Sequence, residues 1–236
     1  MKNILVVAAH PDDEILGCGG TMAAHARHGD RVHILILAEG ITSRDARQDS
    51  DTRDGDLRRL AQAARQAGKI VRAFEVDLRR LPDNRLDSVA FLEVVKTVEK
   101  AIEAIRPAIV YTHHGGDLNI DHRITHRATV TACRPYPGQP VRRLLFFEVA
   151  SSTEWGAGSA GPSFVPNWFQ DITPTWPSKK RALEAYKSEM RSWPHPRSHK
   201  GVEYLARWRG ASVGVELAEA FMLGRNIRAA GKRDIP

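Results

Sequence analysis

Short apolar runs alternate with longer segments of helical periodicity over the first 150 positions of the chain. The run at 4–9 consists of small and β-branched residues, which predicts a strand buried on both faces of a sheet. Strands that alternate with helices in this way are typical of βαβ units and a parallel sheet. The pattern predicts strands at 4–9, 32–38, 70–76, 108–112 and 144–147.

Helical segments connect these predicted strands. The clearest covers 88–106, where apolar residues recur at intervals of three and four positions, and Pro107 ends it. A strand order of 3-2-1-4-5 would place strands one and four side by side at the switch point of a Rossmann-type sheet. The pattern predicts further helices at 21–29, 51–68, 120–134, 178–191 and 214–229.

The composition changes after position 150. Segment 156–177 is rich in Gly, Pro, Ser and Trp, which predicts an irregular arm that is too apolar to be disordered. We expect a Rossmann-like three-layer α/β domain with a mainly parallel sheet. Residues 1–150 would form its core, and the arm and C-terminal helices of 151–236 would complete the same single domain. The apolar arm also favours subunit contacts in a homo-oligomer, and the polar segment 42–50 is expected to be a loop that acts as a lid.

The bulk composition excludes several classes of protein. Of the 236 residues, 42% are hydrophobic and 27% are charged, which is ordinary for a soluble globular protein. No apolar stretch approaches the ~18 residues of a membrane span, and the first predicted strand leaves no room for a signal peptide. We therefore expect a cytoplasmic protein with no integral membrane segment. Cys18 and Cys133 are too few for a disulfide framework or a Cys-rich zinc module.

The net charge of +7 and the pI near 9.7 are compatible with an anionic substrate. The basic residues are scattered in pairs and triplets among acidic ones, and the aromatic residues gather in the arm, where Lys and Arg are sparse. A nucleic-acid-binding module would concentrate basic and aromatic residues on one face. We therefore expect no nucleic-acid partner.

The segment His10-Pro11-Asp12-Asp13-Glu14 directly follows the first predicted strand. Open α/β sheets build their sites at the carboxyl ends of strands. Carboxylates this close together repel one another unless they share a cation or differ in pKa. A lone His-Pro-Asp would be an ordinary turn, but this position and charge favour a site. The spacing of His10 and Asp13 fits two ligands of one metal ion, with Asp12 as a neighbouring base.

A second polar cluster, at 113–122, follows the fourth predicted strand. If strands one and four are neighbours, this cluster and the one at 10–14 face one crevice. A catalytic zinc site has three protein ligands and an open position. Asp121 is expected to act behind the ligands as an orienting carboxylate. The candidates for the third ligand are His122 first, His113 or His114 second, and His126 third.

Three motifs carry a resemblance to a known family. They are the AHPDDE sequence at 9–14, the Asn-Ile-Asp-His sequence at 119–122 and the tail at 186–198. With these motifs the chain resembles the PIG-L/LmbE-like de-N-acetylases over nearly its whole length. The resemblance implies an LmbE-like Rossmann fold and a zinc-dependent enzyme. That enzyme would remove the acetyl group of an N-acetylated sugar substrate, releasing acetate and a free amine.

The resemblance also implies roles for the matching residues. His10 and Asp13 would bind zinc, and His122, the last residue of the second motif, would be the third ligand. Asp12 would be the general base.

One position departs from the family pattern. Several members have a His where this chain has Asn119, whose amide can donate to an oxyanion but cannot supply a proton. The candidate proton donor is then His195, with His114 in reserve. His114, Arg53 and Arg197 are the expected substrate contacts.

Two other functions stay open at this stage. One is a metal-dependent hydrolase of another bond, such as a phosphoester, and the other is a basic polyanion-binding module. Paired aspartates also suit Mg²⁺, but the combination of His, Asp and His favours zinc.

Overall fold

The computed structural model describes residues 1–40, 50–156, 158 and 161–228, without side-chain detail at 50–53. The segment predicted as a lid, 42–50, lies outside the described residues except for position 50, where a helix begins. The strands are β1 (Asn3–Ala8), β2 (Arg31–Ala38), β3 (Glu75–Leu81), β4 (Ile109–His113), β5 (Arg143–Phe147), β6 (Trp168–Asp171) and β7 (Ala218–Asn226). The helices are α1 (Asp13–Arg27), α2 (Ser50–Ile70), α3 (Phe91–Ile105), α4 (Ile120–Ala132), α5 (Trp176–Ala185) and α6 (His199–Ala211).

The strands form one sheet in the order β3-β2-β1-β4-β5-β7-β6. The first five are parallel and have the predicted order, and β7 pairs antiparallel with both β5 and β6. One apolar cluster joins the sheet to α1, α2 and α5, and a second joins the opposite face to α3 and α4. This is the predicted three-layer α/β fold. In the described part of the chain, no helix combines the length and apolar character needed to cross a bilayer.

Strand β1 lies in the interior of this sheet, between β2 and β4. Residues 4–8 are completely buried, because strands pair with both edges of β1 and helices cover both of its faces. Val7 of β1 pairs with Thr112 of β4, so the chain leaves these two strands at neighbouring points. The two polar clusters predicted from the sequence therefore meet at the switch point of the sheet.

Some predicted elements differ from those observed. The strand predicted at 70–76 is wrong at its start, because α2 continues to Ile70 and β3 covers Glu75–Leu81. The helix predicted at 178–191 ends six residues earlier, and the one predicted at 214–229 is replaced by β7. Strand β6 and helix α6, in the part of the chain predicted as arm and C-terminal helices, were not predicted.

Strand β7 carries a carboxylate that stabilises a break in α1. The helix is kinked at Cys18, where φ is −148°, so the N–H groups that follow the kink lack their usual partners. Glu219 accepts hydrogen bonds from the N–H groups of Gly20 and Thr21, at 2.9 and 2.7 Å. The buried ammonium of Lys179 lies 2.6 Å from the same carboxylate. The C-terminal strand thus fixes the helix that carries the first polar cluster.

Replacing Glu219 by Ala should lower the free energy of unfolding by about 3–5 kcal/mol, because it leaves a buried ammonium without its counter-charge. Chemical denaturation measures this loss. The matched control is Glu216→Ala, since Glu216 is exposed and pairs with Arg207 at 3.5 Å; it should cost less than about 1 kcal/mol. Equal losses in the two variants would contradict the role given to Glu219.

Candidate metal centre

A polar cavity of about 110 Å³ lies where the chain leaves β1 and β4. Its walls come from the first residues of α1, the loop after β3, the start of α4, the loop after β5 and the segment before α6. The lining residues are His10, Pro11, Asp12, Asp13, Gly40, Asp83, Asn84, Asn119, His122, Ser151, Ser152, Glu189 and Arg197.

His10, Asp13 and His122 converge on one point beside this cavity. Asp13 Oδ2 lies 3.3 Å from His10 Nδ1 and 3.2 Å from His122 Nε2. One ligand atom from each residue lies within 4.8 Å of the other two, which is close enough for the three to bind a single metal ion. All three side chains are nearly inaccessible to solvent. The sequence-predicted ligand set is therefore assembled in space.

The second nitrogen of each imidazole contacts a carboxylate behind the site. His10 Nε2 lies 3.1 Å from Asp121 Oδ2 and 3.3 Å from Asp83 Oδ1. His122 Nδ1 lies 3.1 Å from Asp117 Oδ1. A carboxylate at this distance holds the proton on the nitrogen that faces it, which leaves the lone pair of the other nitrogen directed at Asp13.

The residues present fit a divalent cation. His122 Nε2 is buried and has no hydrogen-bond partner in the described part of the chain, although it lies beside a carboxylate. Burial favours a neutral imidazole, but contacts with Asp121 and Asp13 raise the pKa of His10 to about 10. Contacts with Asp13 and Asp117 likewise overcome burial and raise the pKa of His122 to about 9. The carboxylates thus demand positive charge at this point, and a shared cation would supply it.

A second trio, His10, Asp83 and Asp121, also has ligand atoms within 4.8 Å of one another. Asp121 Oδ1 accepts a hydrogen bond from the N–H of Leu86 at 3.0 Å, and Asp121 Oδ2 faces His10 Nε2. These contacts place Asp121 directly behind His10, and its orienting role stays a prediction. Asp83 also contacts His10 Nε2, and it was not predicted as a site residue.

The other candidate histidine ligands make different contacts. His113 Nε2 accepts a hydrogen bond from the N–H of Ala9 at 2.8 Å, and its ring stacks on His122. His114 Nε2 lies 2.8 Å from the carbonyl oxygen of Pro162. His126 Nδ1 lies 2.8 Å from the carbonyl oxygen of His113. None of these three rings lines the cavity among the described residues.

Asp12 projects into the cavity from a backbone with φ of 103°, which is rare for a residue with a side chain. Its N–H donates to Glu14 Oε2 at 3.0 Å, and Glu14 Oε1 accepts a hydrogen bond from the buried Tyr186 hydroxyl at 2.7 Å. This chain of contacts holds the unusual turn. Burial raises the pKa of Asp12 to about 7, although the Arg197 guanidinium, 3.1 Å from Asp12 Oδ2, opposes the shift. Such a carboxyl suits proton transfer near neutral pH.

Of the remaining sequence-predicted residues, two line the cavity and the others do not line it within the described part of the chain. Asn119 lines it and caps α4, with its amide oxygen accepting from the N–H of Asp121 and its Nδ2 donating to Asn84. Arg197 also lines it. His195 packs against Trp155 and is absent from the cavity lining in the described residues. The side chain of Arg53 lies outside the described residues.

Asp117 and Tyr186 belong to the site but were given no role from the sequence. Asp117 lies in the second polar cluster and accepts hydrogen bonds from the hydroxyls of Ser152 and Thr153 as well as contacting His122. Its position directly after β4, among the other polar residues of that cluster, could have indicated a role in the site. Tyr186 lies 172 positions from Glu14 in the chain, so no local pattern connects the two residues.

A family model described as PIG-L, GlcNAc-PI de-N-acetylase, matches residues 5–133. The match is more than half of the chain and contains both polar clusters.

Two curated relatives extend the match. The uncharacterized deacetylase YaiS of Escherichia coli K12 is 28% identical, over 79% of this chain and 91% of that protein. The 1D-myo-inositol 2-acetamido-2-deoxy-alpha-D-glucopyranoside deacetylase of Rhodococcus erythropolis PR4 is 32% identical, over 71% of this chain and 68% of that protein.

Among solved structures, the 4-carboxy-2-hydroxymuconate hydratase GalB of Pseudomonas putida KT2440 superposes with a TM-score of 0.77 at 20% identity. The alignment covers 98% of this chain and 100% of that protein. This likeness shows a shared fold. Because that protein is a hydratase, the reaction has to be argued from the site rather than from the fold.

Proposed function

The chain belongs to the PIG-L family of GlcNAc-PI de-N-acetylases, and we propose that it is a zinc-dependent hydrolase of N-acetylated amino sugars. It would cleave the acetamide of an amino-sugar-containing small molecule or glycan precursor and release acetate and a free amine. The observation that carries this proposal is the position of Asp12. This carboxyl lines the same cavity as His10, Asp13 and His122 and has a pKa near 7.

The donor set supports zinc as the metal. His10 and His122 would each offer one imidazole nitrogen and Asp13 one carboxylate oxygen, a combination typical of catalytic zinc sites. Mg²⁺ prefers oxygen ligands, so two imidazoles argue against it. When bound, the ion would polarise the amide carbonyl and lower the pKa of a water molecule towards ~7.

Asp12 is the residue placed to move the proton. As a carboxylate it would accept a proton from the water that attacks the acetamide carbonyl, and it would then deliver that proton to the departing amine. Arg197, 3.1 Å from Asp12 Oδ2, favours the charged form before the attack. The raised pKa of Asp12 favours return of the proton afterwards.

Oxyanion stabilisation is assigned to Asn119. Its Nδ2 has two hydrogens, of which one is donated to Asn84 Oδ1 at 2.9 Å. The other can donate to negative charge that develops in the cavity. His195 stays the predicted alternative to Asp12 as the proton donor to the departing amine, and a loss of activity in His195→Gln at unchanged zinc content would support that role.

Tyr186→Phe should lower kcat about tenfold without changing KM or zinc content. The substitution removes the hydroxyl that fixes Glu14, and Glu14 in turn fixes the N–H of Asp12. It should also cost about 1–3 kcal/mol of stability, because a buried carboxyl loses a partner. Steady-state kinetics and metal analysis measure these effects, and exposed Tyr204→Phe is the control. A fall in stability with unchanged kcat would contradict the positioning role.

The proposed function is tested by acetate release from a panel of N-acetylated sugars and their glycosides. We expect acetate and free amine in equal amounts, loss of activity in a chelator and recovery on addition of zinc. Release of phosphate from phosphorylated substrates, with no acetate, would overturn the proposal in favour of a phosphoesterase. Acetate release that survives complete metal removal would overturn the assignment of the metal.

A further inference from the structure

A second, larger cleft adjoins the metal cavity. Its volume is about 890 Å³, within the range of cavities that bind small molecules. Pro11 lines both the cleft and the metal cavity. The cleft lies between α2 and β3, which is the outermost strand of the same sheet. Its described lining residues are Pro11, Glu39, Asp54, Leu57, Arg58, Ala61, Arg65, Leu78, Arg79 and Arg80.

The cleft is basic because four arginines outnumber its two carboxylates. Arg79 already pairs with Asp77, at 2.6 Å. For the other three, Arg58, Arg65 and Arg80, no hydrogen bond or ion pair joins them to any described residue. All three side chains are exposed, so a ligand that enters the cleft can contact their guanidinium groups.

These arginines come from two elements that line the cleft. Arg58 and Arg65 are seven positions apart on α2, which places them two turns apart on the same face of the helix. Arg80 approaches from β3, on the opposite wall. Guanidinium groups gathered in one cleft repel each other, and an anion between them relieves that repulsion while accepting paired hydrogen bonds. A cleft lined by one sign of charge also concentrates ligands of the opposite sign.

We propose that this cleft binds an anionic group, a carboxylate or a phosphate, on the part of the substrate attached to the amino sugar. The inference rests on the proposed function and specifies its substrate class. Pro11 lines both cavities, so a ligand with its acetamide beside Asp12 would reach the cleft by extending past Pro11. Arg58, Arg65 and Arg80 are then specificity residues, remote from the reacting bond.

The test compares a neutral with two anionic substrates. The neutral one is methyl N-acetylglucosaminide, and the anionic ones are N-acetylglucosamine 1-phosphate and carboxymethyl N-acetylglucosaminide. The wild-type enzyme should have a kcat/KM at least tenfold higher for an anionic substrate than for the neutral one. Raising the ionic strength should reduce that ratio, because the arginines are exposed.

The variants are Arg58→Gln, Arg65→Gln and Arg80→Gln. Each should raise KM for the anionic substrates about tenfold, through loss of a charge-assisted hydrogen bond, and leave kcat/KM for the neutral substrate within twofold. Arg59→Gln is the matched control, since Arg59 is exposed on the same helix, pairs with Asp56 and does not line the cleft within the described residues. This control should leave KM and kcat/KM unchanged for all three substrates.

The outcomes separate this inference from the proposed function. Equal kcat/KM values for neutral and anionic substrates, unaffected by the three variants, would overturn the proposal that the cleft binds an anion. The proposed deacetylase activity would not be affected. Absence of acetate from all three substrates would count against the proposed function. In that case calorimetry with N-acetylglucosamine 1-phosphate tests anion binding in the cleft. Tenfold weaker binding to Arg65→Gln than to the wild type supports the proposal, and unchanged binding overturns it.

Discussion

Asp12→Asn should reduce kcat by about 10²–10⁴-fold while the protein keeps its full zinc content, because general-base catalysis contributes a factor of this size. Asn has the same shape as Asp and tolerates a positive φ better than most residues, so the turn at φ 103° should persist. Its N–H can still donate to Glu14. The substitution therefore removes proton transfer, together with the negative charge that pairs with Arg197.

The measurements are kcat for acetate release and the zinc-to-protein ratio. Asp87→Asn, at an exposed position near the site, is the control and should behave like the wild type. Wild-type kcat in Asp12→Asn would show that another group takes the proton from water. Loss of zinc in the same variant would mean that Asp12 acts as a ligand.

His122→Ala should lower the zinc affinity of the protein by more than about 100-fold, and the loss of zinc should lower its activity. Even the outer partners of metal ligands are worth 10–100-fold in affinity, and a direct ligand should be worth more. His122 Nε2 is buried and has no hydrogen-bond partner among the described residues, so its loss should matter for metal binding more than for the hydrogen-bond network. His122→Gln restores most of the lost volume and separates loss of metal from loss of packing.

Zinc titration against a chromophoric chelator measures the affinity. His126→Gln is the matched control, because His126 lies one helical turn further along α4 and contacts the carbonyl oxygen of His113 instead of the metal cavity. Its zinc affinity should match that of the wild type. Equal zinc affinity in His122→Gln and His126→Gln would remove His122 from the ligand set.

The centre of the fold and the site could be predicted from the sequence because both depend on a strong local signal. The apolar run of β1 can be stable only inside a parallel sheet, and the polar clusters directly follow β1 and β4. Topology then brings His10 and His122 together although they lie 112 positions apart in the chain. The predicted order of the first five strands is confirmed.

Asp83 was missed because β3 was placed too early in the chain. The true strand, EVDLRRL, alternates charged and apolar residues at the edge of the sheet, so its apolar signal is weak. The apolar pair Ile70-Val71 is stronger but belongs to the end of α2 and the turn after it. With the strand displaced, nothing in the sequence placed Asp83 behind His10.

The C-terminal region was misread because local propensity and tertiary structure disagree there. Residues of β7 include Ala, Glu, Leu and Met, which favour helices in isolation, yet pairing with β5 and β6 overrides that preference. Since β7 lies between β5 and β6 in the sheet, we propose that 151–236 belong to the same single domain as 1–150. Glu219 and Arg197 reach the site region from this half of the chain.

The most direct test of the account is a crystal structure of the zinc-loaded protein with anomalous data at the zinc edge. We expect one strong peak within about 2.0–2.3 Å of His10 Nδ1, Asp13 Oδ2 and His122 Nε2, with Asp12 beside the open coordination position. A peak bound instead by Asp83 and Asp121, or no ordered zinc between His10 and His122, would contradict it.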